Sequence, residues 1–222
     1  MILISVLIIG LSLFAQWKLK SKFKQYSETN LQNNYSGEQI ARLMLADNGI
    51  YDVRITSIEG QLTDHYNPAD KTVNLSHNVY YGRNAAAAAV AAHECGHAVQ
   101  HARSYSMLRF RSAMVPALSA VSRIIPFLIM GGVLALSFSI LPLALGVALF
   151  AFTTLFSFVT LPVEFDASRR ALAWMDTKGI VTQREHGMAK DALWWAASTY
   201  VISALGSLVT LIYYIGFLNR ED

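Results

Sequence analysis

The sequence predicts a mainly α membrane protein: about four transmembrane helices, with a small α+β region that contains a short antiparallel sheet. Three observations predict it. Apolar residues make up 54% of the 222 residues and charged residues only 15%, against the ~25% charged that is usual in soluble domains. Uncharged stretches long enough for membrane helices recur at residues 1–17, 124–163 and 196–218. Between the first two lies a more polar segment with helix- and strand-period patterns. The single cysteine rules out an internal disulfide. A net charge of +3 is modest, and its basic residues are explained as topology determinants, so no nucleic-acid partner is expected.

Residues 1–17 form the first span, at the short limit of a crossing helix. No basic residue precedes the apolar run and no small-x-small site follows it, which argues against a cleaved signal peptide. Lys18, Lys20, Lys22 and Lys24 follow instead, with Trp17 and Phe23 as interfacial anchors. An uncleaved anchor with its N-terminus outside is expected.

Residues 18–115 form the next region. After a polar linker, Ser36 and Gln39 make a capping box for a helix with Ile40, Leu43 and Met44 on its apolar face. Asn48-Gly49 ends that helix. Residues 51–62 read as a strand and residues 71–76 as a second, and the two are expected to pair as a hairpin. Residues 63–68 between them read as a turn through Asn67-Pro68. An edge strand here would accept an extended substrate by strand addition, or serve only as support.

Asn84 caps the next helix, and the alanines of residues 85–92, broken only by Val90, are the strongest helix formers available. This helix, expected to run to about Ala102, carries His93-Glu94-Cys95-Gly96-His97. Residues four apart share a helix face, so His93 and His97 can hold one Zn2+, with Glu94 beside it as general base. The plain alternative is two surface histidines. Zinc hydrolysis needs a third protein ligand and an open position. His101 lies too far along the axis to join. Cys95 is expected on the buried back face, and Gly96 marks close packing or substrate clearance.

Residues 116–163 are expected to cross and return as a hairpin, because one helix through the 40 uncharged residues 124–163 would be about 60 Å long, twice the hydrocarbon core. Pro142 marks the break. The chain then re-emerges with Glu164, the first acidic residue at the returning end and costly there without a metal or ion-pair partner. Glu164 is therefore the candidate third ligand. Asp166 competes, but has Arg170 four residues on. Residues 164–195 are a cytoplasmic helical segment, with a stop at Lys178-Gly179 and a capping box at Thr182 and Glu185. Residues 196–218 form the last span, preceded by Trp194-Trp195 as an interfacial belt. Of the 18 lysines and arginines, 11 lie in residues 18–111 and 5 in residues 169–190. The positive-inside rule puts both segments in the cytoplasm, for a multi-pass cell-membrane protein with both termini outside.

Three stretches carry a resemblance: His93-Glu94-Cys95-Gly96-His97-Ala98, Leu62-Thr63-Asp64-His65-Tyr66-Asn67-Pro68 and Leu161-Pro162-Val163-Glu164-Phe165-Asp166-Ala167-Ser168. Together they resemble the YugP-type family of membrane zinc metallopeptidases, over essentially the whole chain. The resemblance implies a membrane-embedded endopeptidase with a zincin-like catalytic helix. A more distant similarity to the HtpX and CAAX-prenyl-protease type, with its Glu-x-x-Ala-Asp motif, assigns the third ligand to Glu164. Ser168 stands where that motif has aspartate, so Asp166 is the candidate replacement in supporting a ligand.

The expected chemistry is metal-assisted peptide hydrolysis, with His93, His97 and Glu164 on Zn2+ and Glu94 moving the proton. His65 and Tyr66 are candidate oxyanion donors by type, and a structural role in their turn is the expected alternative. The expected partners are the lipid bilayer and protein or peptide substrates near it. The rival from another class is a membrane scaffold or partner-binding protein with a structural zinc, closed by a fourth ligand such as His65 or Asp166.

Overall fold

The computed structural model describes residues 2–218. Met1 of the first expected span and residues 219–222 at the end lie outside the described residues. In chain order the elements are α1 (Ile2–Ser27), α2 (Gly37–Asp47), β1 (Arg54–Ile58), β2 (His65–Asn67), β3 (Thr72–Ser76), α3 (His77–Tyr80), α4 (Ala85–Ala102), α5 (Ser106–Val121), α6 (Ile125–Leu134), α7 (Leu141–Thr177) and α8 (Gln183–Leu218).

Local chemistry sets several helix ends. Ser36 and Gln39 form the capping box that opens α2. The Asn84 side chain accepts from the Ala87 N–H at the start of α4. Thr182 and Glu185 bond reciprocally before α8. Gly179, at φ +61, supplies the left-handed residue just beyond α7.

Among the described residues three helices, α1, α7 and α8, are long and apolar enough to cross a membrane. The pair α5 and α6, bent by 48° at a short break, makes a fourth if it counts as one span. The expected start of the hairpin at residue 116 falls inside α5, at Pro116. The break before α7 falls where expected, with Pro142 in its first turn. α7 itself continues through Pro162 for 37 residues, about 55 Å. A ~30 Å core takes about 20 of those residues, counted from Leu141. The remainder, from about residue 161, exceeds that length and carries Glu164. The tail of α1 meets the start of α8 at the same end: Asp191 lies 2.9 Å from Lys22 Nζ and accepts from the Tyr26 hydroxyl at 2.5 Å.

The sheet corrects the expected hairpin. Its order is β1-β3-β2, with β1 parallel to β3 and β2 antiparallel to β3. The sheet is therefore mixed, and the segment read as a turn supplies its edge strand. The physical reason lies in Asn67-Pro68. A residue before proline is pushed toward extended backbone, which ends β2 as a strand, and the reversal comes one step later, where Lys71 adopts φ +52. A three-residue strand is too short to show a period.

The core is built around α4. Residues 85–89, 91 and 92, all alanine, are at most 1% exposed. They pack against Ile40 and Met44 of α2, Val73 and Leu75 of β3, Val79 of α3, Met175 of α7 and Leu193 of α8. A helix buried on nearly every side must be apolar all round, and alanine does this without losing side-chain entropy. Cys95 belongs to this back face, fully buried with its Sγ toward the Ala41 carbonyl. At Gly96 the approach to α7 is closest: a Cβ there would sit 2.6 Å from the Ala167 carbonyl oxygen. Gly96 is thus a packing residue, and its contact sets the register between α4 and α7.

Candidate metal centre

That register brings two distant stretches together. His93 and His97 face out of the alanine core from one side of α4, and Glu164 reaches them from α7. One donor atom from each lies within 4.8 Å of the others, the one such group of three or more among the described residues. Glu164 Oε2 is 3.3 Å from His93 Nε2 and 3.6 Å from His97 Nε2. Glu164 is 3% exposed, and His97 and Glu94 are 8% exposed.

Each imidazole is held by its other nitrogen. His97 Nδ1 lies 3.0 Å from Gln100 Oε1, and His93 Nδ1 lies 3.1 Å from Ser168 Oγ. An Nδ1–H donated to these oxygens leaves Nε2 with its lone pair facing Glu164, the tautomer a metal requires. Gln100 is itself fixed, because its amide donates to the Val163 carbonyl at 2.8 Å and to Asp166 Oδ2 at 2.9 Å. Asp166 also pairs with Arg169 and Arg170, each at 2.5 Å. Both residues weighed for the place of the distant motif's aspartate therefore support a histidine, Ser168 directly and Asp166 through Gln100. Burial disfavours the charged form of His97, but the neighbouring Glu164 carboxylate outweighs it and raises its pKa above the ordinary value.

Two imidazole nitrogens and a carboxylate oxygen, buried and oriented by hydrogen bonds, fit a zinc ion in ligand type and number. Glu94 sits beside this group, and its Oε2 accepts the Tyr66 backbone N–H of edge strand β2 at 3.0 Å.

A cleft of about 390 Å3 opens over these residues, walled by β2 on one side and by Leu108, Arg111 and Val115 of α5 on the other. Arg111 is a residue that sequence reasoning missed: its Nη1 is 3.4 Å from Glu164 Oε1. Tyr200 of α8 lines the same cleft. No local pattern marks either residue. Gln100 could have been found from its i+3 spacing to His97.

The two candidate oxyanion donors are each tied into the surrounding fold. His65 Nδ1 is 2.8 Å from the Thr63 carbonyl, and the ring turns back on its own loop. Tyr66 Oη is 2.7 Å from His101 Nδ1. Burial, with Asp52 and Asp70 adding to it, pushes the Tyr66 phenol up to about 12, so it stays protonated in neutral solution. His101 thus binds Tyr66 rather than the metal group. A structural zinc closed by His65 or Asp166 finds no support in the geometry, since the group contains neither.

Comparison with known proteins agrees with this geometry. A family model described as "Putative neutral zinc metallopeptidase" matches residues 1–219. The chain is 40% identical over 222 residues, all of this chain and 98% of the relative, to "Putative membrane protease YugP" of Bacillus subtilis (strain 168). No solved structure matches. With a family match along essentially its whole length and three zinc-type donors converging from α4 and α7, the chain belongs to this family of neutral zinc metallopeptidases.

Proposed function

We propose that the protein is a membrane-embedded zinc metalloendopeptidase that cleaves peptide bonds of membrane or membrane-proximal proteins on the cytoplasmic face. The observation that carries this reading is the meeting of His93, His97 and Glu164 with Glu94 alongside. The first three would hold a zinc ion, which would supply Lewis acidity toward a carbonyl oxygen and acidify water. The chain's own residues do the rest. Glu94, oriented by the Tyr66 N–H, takes the proton of the water that attacks the scissile carbonyl and passes it to the leaving amine as the C–N bond breaks. Gln100 and Ser168 keep the two imidazoles in register. Arg111 brings positive charge to the cleft wall, where negative charge develops on the substrate carbonyl. An extended segment would lie along β2, where main-chain hydrogen bonds fix its direction.

The substrate class rests on position. Glu164 leaves the apolar stretch of α7 just before the site, and the cleft is lined by α5 and α8, so substrates near the bilayer reach it most directly. Clustering of Lys18, Lys20, Lys22 and Lys24 with Arg169, Arg170, Lys178, Arg184 and Lys190 supports the cytoplasmic side.

The test is direct. Purified protein should contain zinc and cleave an unfolded reporter, and Glu94→Gln should abolish cleavage while keeping the metal. Equal cleavage by the variant would sink the assignment of Glu94. Sidedness is read from single cysteines at Lys20 and Arg184 with an impermeant maleimide. Labelling from opposite sides of the membrane would overturn the hairpin.

A further inference from the structure

The site opens in two directions. Besides the cleft, a smaller chamber of about 160 Å3 adjoins the same reacting groups. Asp64, His93, Glu94, Glu164 and Tyr200 line both spaces. The remaining walls differ in chemistry. Those of the cleft include Arg111, His65 and His97. Those of the chamber carry no charge: Leu19 and Phe23 of α1, Val90 of α4, and Ala192, Leu193 and Ala196 of α8 are its apolar surface. Leu62 stands at its rim, 41% exposed and at φ +57, a backbone region that leucine seldom adopts.

We propose that this chamber receives the side chain of the substrate residue immediately flanking the scissile bond, and that it selects an uncharged aliphatic side chain of middle size. The proposal rests on the peptidase reading above and adds to it the residues that set specificity. Three points support it. The chamber wall includes His93, Glu94 and Glu164, so whatever fills it touches the groups that act on the scissile carbonyl. An extended peptide advances ~3.3 Å per residue, so a side chain more than one residue away cannot reach the chamber from that carbonyl. The volume matches a ~150 Å3 apolar cavity of the kind that holds one benzene ring. That is room for a leucine, isoleucine, valine or methionine; Asp64, Glu94 and Glu164 on the shared wall disfavour an acidic side chain, and burying any charge against the apolar walls costs desolvation.

The size limit is set by helices that also serve as membrane elements. Alanines at 192 and 196 leave the space open on the α8 side, and Leu19 and Phe23 close it on the α1 side. A pocket built this way distinguishes side chains by roughly 10–200-fold per methylene gained or lost.

The experiment maps cleavage sites in an unfolded reporter protein by mass spectrometry, using the full-length zinc-loaded chain in liposomes. For the wild type, aliphatic residues at one flanking position should outnumber charged ones by at least about tenfold. Ala196→Phe should fill the chamber and move the preference at that position to glycine and alanine, again by about tenfold. Ala196→Leu is the milder companion should the phenylalanine perturb folding, and Leu62→Lys, on an exposed rim, should admit acidic side chains. Glu94-dependent cleavage whose flanking profile is the same in the wild type, Ala196→Leu and Leu62→Lys overturns the chamber alone. Absence of any Glu94-dependent cleavage overturns the peptidase reading, and the chamber falls with it.

Discussion

The two halves of the metal centre are assembled by different physics. His93, Glu94 and His97 come from five consecutive residues of α4, and helical spacing alone puts the two imidazoles together. Glu164 and Ser168 come from α7, after two further helices and an apolar stretch. Nothing local places them. Their arrival depends on the Gly96–Ala167 approach that sets the register of α7 against α4. The lesson is that the α4 half is encoded in a motif, whereas the α7 half is encoded in packing.

The largest test of that contrast is Glu164→Ala. If α7 completes the centre, zinc content should fall to about a tenth or less, because a two-histidine remnant lacks the usual third ligand; undiminished zinc by elemental analysis would leave α4 as the whole site. Next comes Glu94→Gln, with turnover reduced by about 10²–10⁴ and metal content unchanged, measured as single-turnover cleavage beside zinc analysis. Gln100→Ala and Ser168→Ala should each weaken zinc by about 10–100-fold in chelator competition. Gln100 should cost more, because its side chain joins His97, Val163 and Asp166. Gly96→Ala should then destabilise the fold by about 1–3 kcal/mol through overpacking and reduce zinc affinity with it, read from thermal unfolding in detergent. Smallest is Ser36→Ala, which removes the α2 cap for about 1 kcal/mol and should leave zinc affinity untouched. A loss of zinc there would mean that the two halves are not as separable as the geometry suggests.

What the sequence made legible follows the same division. Signals confined to a few residues were readable: the two capping boxes, the Asn84 cap, the Lys178-Gly179 stop, the break before Pro142 and the pentad itself. The sheet was not, because β1 pairs in parallel with a strand fourteen residues downstream and β2 is only three residues long. Glu164 could be singled out from sequence because a carboxylate at the end of a span needs a partner, and its convergence with the histidines is visible only in the folded chain. Arg111 and Tyr200 carried no such mark. An arginine in a basic segment reads as a topology signal, and a tyrosine in an apolar run reads as an interfacial ring.

The buried back face of α4 has a practical consequence. Cys95 is the chain's one cysteine and is wholly enclosed by its neighbours. Burial raises its thiol pKa far above the ordinary value, with Glu94 adding to the effect, so almost none of the reactive thiolate is present. The native protein should therefore give no maleimide labelling without unfolding, and cysteines introduced for labelling, spin probes or crosslinking should report against a blank background. The same thiol serves as an unfolding sensor: its modification should begin only when α2 and α4 separate, giving a chemical readout of core opening in intact membranes.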